Sequence, residues 1–232
     1  MPADLTPVRE RIAYHEAGHA VASVVVGFGC ELVYVGRRRG RILCPNPVAG
    51  MRGWEEVAMR ALIVFNAGWI SEQKLLRERN DPTWPLVVPT GDDLEKITAH
   101  VEGLERVPGR KRVVEVSARH TLVLLCMFWA SVRLVAHAAR RFGHLDRDQV
   151  KEFIALASFD VLKSPPRDVA RSQRWILSLL AERRQNPGAE SAAVALLQSA
   201  AAADGPFVSC RAARCARRLL ERRPKGGRHA GT

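Results

Sequence analysis

"AYHEAGHAVA", residues 13–22, sets two histidines four positions apart, with a glutamate directly after the first. An α-helix turns about 100° per residue, so His15 and His19 lie about 40° apart in projection. Glu16 falls in the same sector of the helix. Two imidazoles at that spacing can bind one Zn²⁺, with the carboxylate beside the metal rather than on it. A glutamate so placed can take a proton from zinc-bound water, whose pKa the metal lowers to around 7. A plain helix with exposed histidines is the bland alternative. The surrounding Ile12, Ala13, Ala17, Ala20, Val21, Val24 and Val25 speak against it, because they would bury much of the segment. A buried glutamate between two buried histidines is costly without a partner.

Outward from this segment the chain reads as mainly helical, an α+β arrangement with a very small sheet. Thr6 and Pro7 suit an N-cap and first turn. The helix that follows should run through HEAGH and stop near Gly27 or Gly29. "ELVYV", 31–35, is β-branched and aromatic and reads as a strand. "GRRRG" turns the chain into a second short strand, "RILC". Long helices are expected over 53–79 and 111–142, separated by a proline-rich loop at 80–90 and a helix that begins at "GDDLEKI". Gly143 should end the second of these, and Asp146 with Gln149 forms the pattern of a capping box. Gly18 costs about 1 kcal/mol relative to Ala inside a helix. Its use there implies close approach by a neighbouring element.

Bulk properties narrow the reading. A chain of 232 residues is long enough for one good core with appendages. The run "TLVLLCMFWASVRLVAHAA", 121–139, is too short for a membrane span, because Arg133 interrupts it. It reads as a core helix. The start, "MPADLTPVRERIAY", has no apolar signal region, which points to a cytoplasmic protein. Five cysteines, an odd number without a CxxC pair, suit reduced thiols rather than a disulfide framework. Of the net charge of +12, thirteen Lys and Arg against five Asp and Glu follow Ser164. The expected division is therefore a domain over 1–163 and a basic helical extension over 164–232, partly a solvated tail. Such a tail can attract polyanions weakly.

A catalytic zinc usually has three protein ligands and one open position. His15 and His19 leave one to find, and Val25 stands where an extended HExxHxxGxxH motif needs histidine. Glu72 in "NAGWISEQKLL" and Asp93 in "PTGDDLEKI" are the candidate carboxylates. Spacing does not choose between them, since Asp93 also suits a capping box with Thr90 as N-cap.

At this point the sequence resembles the peptidase domain of FtsH-type ATP-dependent zinc metalloproteases. "AYHEAGHAVA", "ELVYVGRRRGRI", "NAGWISEQ" and "TGDDLEKI" follow in the family's order, over about residues 10–155. The last is similar to the family's TGAxxDLxxA segment, which implies Asp93 as the third zinc ligand. Glu72 is then implied to hold a histidine's other nitrogen. Trp69 stands where the family has arginine, the TG segment is one or two residues shorter, and no GxxxxGK[ST] occurs. A zincin-like, stand-alone peptidase domain is what the resemblance implies, holding one Zn²⁺ through His15, His19 and Asp93, with Glu16 as general base. A peptide or unfolded protein would be the substrate, pairing along the strand Leu32, Val33, Tyr34 and Val35. A separate ATPase or unfoldase and further copies of the chain are the implied partners. Two other readings compete: a catalytically silent binding or regulatory module on the same fold, and a nucleic-acid-associated protein acting through the basic tail. Past Trp175 the extension has no aromatic except Phe207 to stack on bases, which leaves the tail phosphate attraction alone.

Overall fold

Helix α1 (Val8–Val25) is buried on nearly every face from Ala13 onward, so it has no single apolar stripe and runs through the core. Its main partner is α2 (Trp54–Glu78). Gly18 is the point of closest approach: a Cβ there would meet the Ala67 carbonyl and the Ser71 side chain of α2. Pro7, not Thr6, is the residue that caps α1. The Thr6 N–H instead donates to Asp81 Oδ2 at 2.7 Å. Beyond α1, Gly27 and Gly29 take positive φ (94° and 78°), which turns the chain out of the helix as glycine permits. The computed structural model describes residues 6–44, 54–88, 91–103, 110–157, 159–160 and 166–185. The helices expected after 186, the basic tail and Thr90 lie outside the described residues.

The sheet has three antiparallel strands, β1 (Leu32–Val35), β2 (Gly40–Leu43) and β3 (His144–Asp146), in the order β2-β1-β3. Val33 pairs with Ile42 on one side and with Leu145 on the other. This overturns one expectation. Leu32, Val33, Tyr34 and Val35 cannot receive a substrate strand, because β1 is central and β2 and β3 take its backbone groups. The outer edge belongs to β2. The third strand was not expected: "GHLD" reads as a helix stop and cap, and its pairing partners lie over a hundred residues upstream. Leu145 is fully buried and Val35 N–H donates to Gly143 O at 2.7 Å, which anchors the strand.

The helix expected over 111–142 is two helices, α4 (Arg110–Met127) and α5 (Trp129–Phe142), bent by 76° at Phe128. No proline or glycine marks the bend. The Met127 carbonyl accepts instead from Asp160 N–H at 2.8 Å, and the buried Phe128 ring stacks on Phe159 with centroids 5.3 Å apart. Among the described residues no single helix is long and apolar enough to cross a membrane. The bent pair passes by length and composition, but Leu124, Leu125, Val132, Val135 and Ala136 are core residues. Helix α3 (Gly91–Gly103) follows a 3-10 turn at Trp84–Leu86.

Helix α6 (Arg147–Leu156) begins with the expected box: Gln149 N–H donates to Asp146 Oδ1 at 2.9 Å, and Asp146 N–H to Gln149 Oε1 at 3.0 Å. Helix α7 (Arg167–Gln185) lies beyond the boundary expected at 163, yet Ile176 and Leu180 belong to the main core. It docks on α4, where His120 accepts or donates to Ser172 Oγ at 3.0 Å and stacks on Trp175.

Candidate metal centre

One turn of α1 brings His15 and His19 to the same side, as the spacing requires. The start of α3 carries Asp93 to them after the proline-rich loop. Asp93 Oδ2 lies 2.9 Å from His15 Nε2 and 3.0 Å from His19 Nε2. The two Nε2 atoms are 3.1 Å apart. Three ligand atoms of different residues thus form a nearly equilateral triangle.

The far sides of both rings are tied down. His19 Nδ1 sits 2.7 Å from the Val64 carbonyl of α2. A carbonyl only accepts, so Nδ1 carries the hydrogen and Nε2 of the neutral ring presents a lone pair. His15 Nδ1 lies 3.4 Å from Glu72 Oε2, and Glu72 is itself held by Arg11 at 2.7 Å. Glu72 therefore stands behind His15 and does not join the triangle. Gly68 of α2 passes directly under the two imidazoles: a Cβ there would meet His19 Nε2 and Cε1, and lie 2.7 Å from His15 Nε2.

Charge follows from this packing. Burial alone would lower the His15 pKa, but hydrogen bonds to Asp93 and Glu72 outweigh it and raise it from 6.5 to about 9. Burial would raise the Asp93 and Glu72 carboxyls. For Asp93 the contacts with His15 and His19 win, and for Glu72 those with His15 and Arg11 win. Both carboxyls titrate below the usual range. Glu16 goes the other way, its pKa raised by burial against the opposing pull of His19 and His15.

A cavity of about 1090 Å³ opens over this cluster. Glu16 lines it together with His15, His19, Asp93 and Lys96, and with Gly40, Arg41 and Ile42 of β2. Gly40 begins β2 directly over Glu16, where a Cβ would collide with the carboxyl group. No family model and no curated protein matches the chain.

Tetrahedral zinc with ligands at about 2.0–2.1 Å spaces them roughly 3.3 Å apart. The triangle is a few tenths of an ångström tighter, an opening that side-chain rotation supplies. Two imidazoles and one carboxylate are a donor set that suits Zn²⁺, and all three residues line the cavity.

Sequence reasoning gave four residues around the centre no role there: Val64, Arg11, Gly40 and Gly68, the last read only as a packing position of its helix. Val64 acts through its backbone, which no side chain advertises. Gly68 could have been found as a glycine inside a long helix, a position that normally costs stability.

Proposed function

We propose that the protein is a zinc metalloendopeptidase of zincin-like fold, similar to FtsH-type peptidase domains. The convergence of His15 Nε2, His19 Nε2 and Asp93 Oδ2 within 3.1 Å carries this reading. With both Nδ1 atoms turned to acceptors, neutral rings would present three lone-pair donors to one point; without a metal the cluster is relieved by a proton on His15, whose pKa is raised to about 9, and a cation held there would take that proton's place. Zn²⁺ held there would polarise a scissile carbonyl and make a water acidic near neutral pH.

Glu16 supplies the proton transfers. Its carboxylate takes a proton from the attacking water as the water oxygen bonds to the carbonyl carbon. It then gives that proton to the amine nitrogen as the C–N bond breaks. Burial raises its pKa toward the operating range, where a base is strong enough to accept and still able to donate. Glu72 fixes the ring of His15, and Val64 that of His19, so that both face the metal. A peptide paired with the outer edge of β2 would lie across the cavity beside Glu16.

Metal analysis of the purified protein, alongside casein hydrolysis with and without a zinc chelator, tests the reading. About one zinc per chain and chelator-sensitive hydrolysis are expected. Metal-free protein that hydrolyses casein would overturn it.

A further inference from the structure

Outside the His15–His19–Asp93 cluster, most of the charged groups on the cavity wall are cationic. Arg38, Arg39 and Arg41 come from the β1–β2 hairpin and Lys96 from α3, while among the described residues the only acids lining the cavity are Glu16 and Asp93. All three arginines are exposed, and among the described residues none of them has a carboxylate partner. Three guanidinium groups with no carboxylate partner among the described residues create a positive potential beside the cavity.

Arg39 and Arg41 follow the register of β2. The ladder continues one pair past the strand, since Gly36 N–H donates to Arg39 O at 2.9 Å. Side chains alternate along this stretch, so Arg39 and Arg41 share one face and Gly40 and Ile42 the other. The Gly40 face lies against Glu16. Among the described residues nothing pairs with the outer edge of β2. A chain added there would place every second side chain directly beside Arg39 or Arg41, at the close spacing of a cross-strand pair.

Building on the peptidase reading, which puts a substrate in this cavity, we propose that the β2 edge selects extended peptides with acidic side chains at alternate positions, and that Arg39 and Arg41 set the preference. Opposite charges paired across strands favour binding, and like charges directly opposite disfavour it. Arginine suits the role because its planar fork meets a carboxylate with two donors.

Full-length Glu16→Gln protein keeps a bound peptide intact and allows affinity to be read alone. Fluorescence anisotropy with labelled ten-residue peptides of alternating Glu/Ala, Lys/Ala and Ser/Ala would measure it at low salt. The Glu peptide is expected to bind about tenfold more tightly than the Lys peptide. On the same background, Arg39→Glu with Arg41→Glu should abolish that preference or invert it. Arg39→Gln with Arg41→Gln serves if the reversal variant melts at a lower temperature than its parent. Equal binding of the three peptides overturns the proposal. So does a preference that survives both double variants, which would place it on the basic C-terminal segment, and so does arginine-dependent binding of an oligodeoxythymidine but not of the Glu peptide. Cleavage by the unsubstituted protein separates the two claims. Hydrolysis of all three peptides at one rate after equal binding removes the selectivity and leaves the peptidase. Arginine-dependent binding of the Glu peptide without hydrolysis removes the peptidase and leaves the docking edge.

Discussion

Glu72 and Asp93 both touch His15, but on opposite nitrogens of its ring: Glu72 faces Nδ1 and Asp93 faces Nε2. Only Asp93 also reaches His19. The two carboxylates should therefore differ in what their loss costs. Glu72→Gln leaves the triangle of ligand atoms whole and lets His15 turn more freely, which typically weakens metal binding about 10- to 100-fold. Asp93→Asn removes the one anionic ligand and should weaken zinc binding more than Glu72→Gln does. Competition with a graded chelator ranks the two variants, and zinc lost first from Glu72→Gln would exchange their roles. The histidines and Glu16 were legible in the sequence because helix geometry alone fixes their relation. The carboxylate that joins them was not, since either Glu72 or Asp93 could return to α1 through an intervening loop, and spacing carries no information about how that loop folds. The FtsH resemblance chose Asp93, and the structure places Asp93 beside both imidazoles.

At the scale of elements, two glycines let α1 and α2 close on each other. Gly18 was legible as a close approach, and α2 is the element that approaches it. Gly68→Ala would favour an isolated helix by about 1 kcal/mol. In this fold its methyl group would push into both imidazoles, so zinc affinity should fall by at least about tenfold. A chelator titration of Gly68→Ala checks this, and unchanged affinity would show that the rings do not rest on α2. Helix α7 gives a pH-dependent prediction. Burial, and to a lesser extent Arg119, lowers the His120 pKa from 6.5 to about 4. The folded state thus resists a proton that the unfolded chain takes up below 6.5. Stability from this residue is complete above that pH and is lost as pH falls toward 4. Melting temperatures measured down this range should drop less steeply for His120→Phe than for the unsubstituted protein, and parallel curves would contradict it. The bend at Phe128 and strand β3 could not be read from local signals, because Asp160 and β1, the partners that create them, are distant in sequence. For the same reason the sequence alone leaves β1 open to a substrate strand: β3, more than a hundred residues away, closes its second edge.

For the whole molecule, helix periodicity makes the broad class legible, and composition alone draws the expected division. A mainly helical protein with a small antiparallel sheet follows from helix periodicity and the short β-branched run. The boundary at 163 followed a change in charge and proline content, but Ile176 and Leu180 are packed in the same core as α1. Charge marks which surfaces meet water and says little about which apolar residues share a core. The core, the tethered imidazoles and the glycine contacts together place Glu16 beside His15, His19 and Asp93 and under the first residue of the β2 edge. The central claim is that Glu16 acts as the base there. Peptide hydrolysis by Glu16→Gln protein, in a sample shown to hold zinc, tests it most directly. Glutamine keeps the shape of the side chain and cannot accept the proton, so zinc should remain near one per chain while cleavage falls by about 10²-fold or more. Zinc-loaded Glu16→Gln that cleaves as fast as the unsubstituted protein would contradict the account.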